Sequence, residues 1–266
     1  MAYGIRAAAD ALISVLFPAP CALCGETLTT AGRLPICESC FASLAPLSGA
    51  FCATCGRLFR SEAALDAKTP RCFACRQGLY AFDAARSYGA YTHHMVRAIG
   101  LLKYERMTQL GVWFAERLHS VVQQNAMLRE VDVVVPVPLH RSRQRERGYN
   151  QAELIAKPLA RKLKVALGSY LLVRTKPRPE RLLLSRRERW LTVRGAYEMR
   201  KGAQIDNLRV LLIDDVFTTG ATLDACAKAL KKSGAKRVMG LTVARAMERG
   251  SGSVGKPGEK PQTPRM

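Results

Sequence analysis

"VLLIDDVFTTGAT", residues 210–222, runs four aliphatic residues into two adjacent aspartates, then a valine and a phenylalanine, and then threonines, an alanine and one glycine. The aliphatic run is too short for a helix and shows no polar alternation, so it reads as a strand buried on both faces. Such strands belong to parallel sheets. Downstream, "TLDACAKALKKSGA" (222–235) puts Leu223, Ala227 and Leu230 near one helical face, places lysines in the last turn and stops at Ser233-Gly234. "RVMGLTVARA" (237–246) supplies a second apolar strand. Residues 210–246 therefore form a strand, helix, strand unit with a right-handed crossover. Its ligand crevice lies at the carboxyl end of the first strand, where Asp214 and Asp215 stand.

A loop that opens a helix there offers unpaired backbone N–H groups, a partial positive dipole and the hydroxyls of Thr218, Thr219 and Thr222. Those groups suit a phosphate. Two carboxylates beside a phosphate cradle would repel the anion unless they face hydroxyl groups or a divalent cation. A sugar phosphate satisfies both halves. The Gly-Lys-Ser/Thr ending of a Walker A loop is missing, so ATP is a poor fit. The other reading of the same residues is a plain strand-to-helix turn whose acids cap the helix or bind a metal, as in receiver-like domains.

The chain has 266 residues, 48% of them hydrophobic, and 42 basic against 21 acidic residues give a net charge of +21. That composition supports a sizeable core and excludes wholesale disorder. Residues 1–80 hold seven Lys/Arg against five Asp/Glu, whereas residues 141–209 hold nineteen against six. A positive field concentrated in the second half attracts nucleic acid or a multiply phosphorylated ligand, a solvated basic surface being the alternative. No stretch approaches the ~18 apolar residues of a membrane span. Asp10 interrupts the apolar part of "MAYGIRAAADALISVLFPAP", which favours an amphipathic helix at 3–16 over an export leader. The Gly/Pro/Ser/Lys-rich stretch 248–266 is expected to be a disordered tail.

Cys21/Cys24, Cys37/Cys40, Cys52/Cys55 and Cys72/Cys75 are four C-x-x-C pairs, with Cys226 alone outside them. Glycine follows the first and third pairs, where a tight knuckle benefits from a residue tolerant of unusual backbone angles. The repeat of knuckle and plain pair predicts two consecutive zinc ribbons of four sulfur ligands each, with an interleaved pairing as the alternative. Disulfides suit a secreted chain, and a redox dithiol needs one pair, not four in a row. Four thiolates leave no open coordination position, so both Zn²⁺ ions are structural, and reduced thiols place the protein in the cytoplasm. Cys226 reads as a buried small hydrophobe.

"VDVVVPVPLHRSRQRERGYNQAELIAKPLARKL" (131–163) begins as another buried strand, 131–135, breaks at Pro136 and Pro138 into an arginine-rich loop and enters a helix near Asn150. Arginine forks suit diphosphate oxygens because they are planar and permanently charged. Trp113, Phe114 and Tyr104 are candidate stacking platforms, although aromatics at helical spacing are more often core. Of His93, His94 and His140, only His140 lies in the arginine-rich segment.

The 210–222 stretch closely resembles the phosphoribosyl pyrophosphate (PRPP) motif of type I phosphoribosyltransferases. That resemblance implies that Asp214 and Asp215 hold the ribose hydroxyls and carry the catalytic role. It also implies that Thr218, Thr219, Gly220, Ala221 and Thr222 wrap the 5′-phosphate, with Mg²⁺ accompanying PRPP. The loop after the early core strand resembles the one that embraces pyrophosphate in that family. His140, Arg141, Arg143, Arg145 and Arg147 are thus candidates for pyrophosphate or nucleic-acid phosphate.

"PVPLH" (136–140), "RERGYNQAELIA" (145–156), "LKYE" (102–105) and "SRRERWLTVRGAY" (185–197), together with the paired cysteines, resemble the ComF family of bacterial competence proteins over roughly 15–247. The implied architecture is α/β: a zinc-ribbon domain at 1–80, a parallel-sheet type I phosphoribosyltransferase-like domain at 81–247 and the tail at 248–266. The implied work is uptake of single-stranded DNA during natural transformation, with a helicase-like competence partner. An active phosphoribosyltransferase with an unknown nitrogen acceptor, unrelated to DNA, is the alternative. Lys103 matches a basic residue that the family keeps near the site. Arg181, Leu183 and Thr192 stand where relatives commonly show glutamine, glycine and asparagine, and Tyr197 replaces a frequent phenylalanine. The first three departures bear on the hood over the nucleophile pocket.

Overall fold

A computed structural model describes residues 19–28, 32, 34–59, 70–177 and 185–247. The helix expected at 3–16, the tail at 248–266, Arg181 and Leu183 lie outside these residues.

The aliphatic strands form one parallel sheet in the order β1 (Ala84–Ala90), β7 (Arg237–Arg245), β6 (Arg209–Phe217), β2 (Val133–Pro136) and β3 (Ala166–Leu167). All four residues 210–213 are buried, because successive side chains enter opposite layers. Leu211 and Ile213 join the layer built by α3 (His93–Tyr104), α4 (Gln109–Gln123), α5 (Ala126–Arg129) and α7 (Gln151–Leu163). Val210 and Leu212 join the layer of α9 (Ala221–Lys232), whose Leu223, Ala227 and Leu230 are buried there as the helical spacing predicts.

Two expectations about element boundaries are corrected. The strand does not end at Ile213: β6 continues through both aspartates to Phe217, since β7 runs beside it and pairs Asp214 with Thr242 and Phe217 with Arg245. The arginine-rich loop is a helix, α6 (Arg141–Arg147). Long charged side chains are good helix formers, the His140 ring accepts the Ser142 N–H at its start, and left-handed Gly148 (φ +83°) closes it.

A two-stranded antiparallel ribbon, β4 (Leu172–Arg174) with β5 (Tyr197–Met199), and α8 (Arg186–Val193) pack near α9. A capping box of Ser185 and Glu188 starts α8.

The cysteine-rich segment contains one structure twice. Each knuckle closes with the same bonds, Cys21 N to Glu26 O and Cys52 N to Arg57 O, Gly25 N to Cys21 O and Gly56 N to Cys52 O. Each plain pair opens a short helix, with Cys37 or Cys72 as N-cap and Cys40 or Cys75 inside α1 (Glu38–Ser43) or α2 (Phe73–Arg76). The first ribbon packs into the α3/α4 layer and the second into the α9 layer, so the two lie on opposite faces of the sheet. The chain around them also covers the open edge of β1: Ala85 N donates to Thr54 O (2.6 Å) and Leu47 N to Tyr88 O (2.6 Å). An edge paired in this way offers no template for another strand.

Candidate functional site

At the carboxyl ends of β6 and β2 lies a cavity of about 400 Å³. Asp214, Asp215, Thr218, Thr219, Ala221 and Thr222 line one side; Lys103, Arg143 and Arg147 contribute from α3 and α6. Residues far apart in sequence thus meet because three elements end at the same rim of the sheet.

The two aspartates are not equivalent. Asp215 is buried, and each of its carboxylate oxygens is held: Lys103 Nζ is 2.7 Å from Oδ1, and Gln151 Nε2 donates to Oδ2 at 2.7 Å. Asp214 is half-buried, and its Oδ1 accepts the Asp215 N–H at 2.9 Å. Burial works against the Lys103 charge, but the Asp215 carboxylate outweighs it, with Asp214 adding to the effect, and the ammonium is held above its usual range.

Gly220 adopts φ +80°, and a Cβ there would lie 2.7 Å from both the Phe217 and Tyr80 rings. Only glycine fits this turn. Thr219 Oγ1 accepts the Ala221 N–H (3.3 Å), and its carbonyl accepts from the Tyr80 hydroxyl (3.0 Å). The loop therefore opens α9 with its first N–H groups beside the cavity, an arrangement suited to an anion.

Helical geometry divides the arginines of α6. Arg143 and Arg147, one turn apart, line the cavity; Arg141, Arg145 and His140 are not among its lining residues, and His140 serves as the helix cap. Arg147 also sits 5.0 Å from the ring of Tyr104 and bonds Gln151. Tyr104 lies at the cavity, 69% exposed, while Trp113, half-buried, packs against Phe41, Tyr88 and Phe114 at the margin of the core. His94 Nδ1 is 2.8 Å from Ser43 Oγ.

Sequence reasoning missed Gln151, Arg174 and Arg189. Arg174 on β4 and Arg189 on α8 bring two more cations to the cavity, and Thr192 lines it with its hydroxyl donating to Arg189 O (3.0 Å). Arg189 and Thr192 lie in the already suggestive stretch 185–197, but their direction depends on a helix packed against α9. Arg174 carried no signal of its own.

The eight paired cysteines form two groups, Cys21/Cys24/Cys37/Cys40 and Cys52/Cys55/Cys72/Cys75, each with its sulfurs within 4.8 Å of one another. The pairing is consecutive, not interleaved. The Cys24 to Cys37 and Cys55 to Cys72 Sγ separations are both 3.7 Å, against about 3.8 Å for the edge of a tetrahedron with Zn–S bonds of ~2.3 Å. In each group a backbone N–H, from Cys37 or Cys72, points at the first sulfur from 3.3 Å. The Cys55 thiol's hydrogen bond, with backbone N–H groups, draws Cys52 down to about 4 against the cost of burial. These are two zinc sites, each built from four cysteine sulfurs. Cys226 is fully buried, and burial pushes its thiol well up. No helix among the described residues is long and apolar enough to cross a membrane.

Residues 12–76 match the double zinc ribbon domain, and residues 111–254 match the phosphoribosyl transferase domain. Competence protein F of Haemophilus influenzae is 28% identical over 200 residues, covering 74% of this chain and 85% of that protein. DNA utilization protein YhgH of Salmonella typhimurium is 28% identical over 214 residues, covering 76% and 93%. Among solved structures, the purine phosphoribosyltransferase from Pyrococcus horikoshii Ot3 aligns with 50% of this chain and 84% of its own at 18% identity and a TM-score of 0.33.

Proposed function

This chain belongs to the phosphoribosyl transferase domain family, and we propose that its cavity binds PRPP with Mg²⁺ and that the protein handles single-stranded DNA during uptake. The observation that carries the first half is the meeting of an aspartate pair, a small-residue loop at a helix start and a set of cations in one cavity. In this reading Asp214 and Asp215 receive the ribose hydroxyls. The 218–222 loop takes the 5′-phosphate on the N–H groups that open α9. Lys103, Arg143 and Arg147 take the pyrophosphate. Mg²⁺, when bound, neutralises part of the pyrophosphate charge. Lys103 already neutralises Asp215, which keeps a buried carboxylate from repelling an anionic ligand.

The DNA half rests on the relatives named for competence and DNA utilization and on the excess of basic residues in 141–209. Arg141 and Arg145, exposed on α6 away from the cavity, extend a basic surface that a phosphate backbone can follow. A helicase-like competence protein is the partner, the compartment is the cytoplasm, and the functional units are 1–80 and 81–247.

The second reading is an active transferase, favoured by the intact aspartate pair and by the β4–β5 ribbon and α8 bordering the cavity. There the cations stabilise the leaving pyrophosphate while a nitrogen acceptor attacks the anomeric carbon, so positioning and electrostatics do most of the work.

Calorimetric titration of the zinc-replete protein with PRPP and Mg²⁺ tests the proposal. Binding is expected, and Asp214→Asn/Asp215→Asn abolishes it; no binding to the native protein overturns the assignment. Release of pyrophosphate with candidate acceptors then separates the two readings.

A further inference from the structure

Two contacts that zinc binding alone does not require tie the second zinc ribbon to the 218–222 loop and to the residue before it. Arg245, at the end of β7, is buried; its Nη1 donates to Cys55 O at 2.7 Å, and its Nη2 lies 3.8 Å from Cys55 Sγ. One zinc with four thiolates is a net dianion, so a buried guanidinium beside it is a counter-charge, and each is costly to bury without the other. The same guanidinium lies 4.1 Å from the centroid of the Phe217 ring, and Ala246 N donates to Phe217 O at 2.9 Å. Phe217 is the last residue before the loop.

The other contact is Tyr80, five residues after the ligand Cys75. Its hydroxyl donates to Thr219 O at 3.0 Å, and its ring stacks on Phe82 at 4.6 Å and fills, with Phe217, the space beside Gly220. Leu79 N bonds Ala74 O and Ala81 N bonds Asp224 Oδ1 (2.7 Å), so Tyr80 is fixed between the ribbon and the first turn of α9. The first ribbon contacts α3 on the other face of the sheet, through Arg97 Nε to Ala22 O.

We propose that Tyr80 and Arg245 are positioning residues that join the second zinc site to the 218–222 loop, so that zinc in that site and a sugar phosphate on the loop stabilise one another. This rests on the phosphate assignment above. Coupling of this kind is reciprocal: if the ribbon holds the loop, a ligand on the loop holds the ribbon.

The two sites differ in a way that makes the test possible. Cys24 is exposed and Cys37 half-buried in the first, whereas all four ligands of the second are buried. A thiol reagent should therefore strip the first zinc quickly and the second slowly. Zinc release from the full-length, zinc-replete chain is followed with a metallochromic dye, with ribose 5-phosphate or ribose present, and the cysteines reacting in each phase are mapped by alkylation.

Ribose 5-phosphate is expected to slow the second phase by at least about fivefold, the lower end of site-to-site couplings, and to leave the first unchanged; ribose leaves both phases unchanged. Tyr80→Phe, which removes one hydroxyl, and Arg245→Lys, which keeps the charge but loses the fork, each reduce the protection while two zincs per chain are retained. Should Arg245→Lys fail to fold, Tyr80→Phe decides alone. If calorimetry shows ribose 5-phosphate bound and the slow phase is unmoved, or if Tyr80→Phe keeps full protection, the coupling is wrong and the phosphate site stands. If ribose 5-phosphate does not bind, both fall.

Discussion

Asp215 is a buried carboxylate with both oxygens engaged, which makes Lys103 a structural partner as well as a candidate ligand group. Lys103→Met leaves that charge uncompensated and is expected to cost about 3–5 kcal/mol in urea denaturation; adding Asp215→Asn should recover part of the loss. A different carboxylate carries an acid-sensitive ion pair. Hydrogen bonds from the Arg209 side chain, then its backbone N–H, hold Asp132 down at about 2. Because this folded-state value is depressed, its contribution is present above the ordinary value of ~3.9 and is lost as pH falls through about 2. Arg209→Met should flatten the stability curve over that window, by a small amount because the pair is partly exposed. The identities of Asp214, Asp215 and the small residues after them were legible in the sequence. The unequal environments of the two acids were not, because Lys103 and Gln151 reach Asp215 from separate helices.

The helix α6 shows what local order does to a charge pattern. Alternating arginines at 141, 143, 145 and 147 read as an undirected basic loop, yet once helical they separate onto two faces about 200° apart (100° per residue). Arg143→Gln/Arg147→Gln should weaken PRPP binding by at least tenfold in calorimetry, whereas Arg141→Gln/Arg145→Gln should leave it within about twofold; equal effects would mean that the cavity does not select its cations. Both pairs should lower affinity for single-stranded DNA, with a shallower salt slope, by about 0.7 per phosphate contact removed. Pro136 and Pro138 end the strand but do not prevent a helix three residues later, capped by His140 and closed by left-handed Gly148.

Across the whole molecule, the two ribbons are part of both cores and of the sheet edge. Removing zinc should therefore do more than free two small modules. Chelation is expected to make eight thiols alkylatable and to promote aggregation by uncovering β1, while Cys226 reacts only after global unfolding. Eight thiols open to alkylation in the untreated, zinc-replete protein would contradict the zinc assignment. The spacing of the cysteines announced two ribbons but left consecutive and interleaved pairing open; the sulfur positions decided it. That they would straddle a sheet, one per face, had no local signature.

Residue types at fixed spacing settled the buried parallel strands, the helix after the aspartates and the metal ligands, because each follows from backbone periodicity or donor chemistry within a short stretch. Which arginines face the cavity, how Lys103 and Gln151 divide Asp215, and how the second ribbon reaches the phosphate loop were decided by packing. Those contacts join residues 64 to 190 positions apart, and no local preference encodes a meeting that exists only once the sheet has brought its strand ends to one rim.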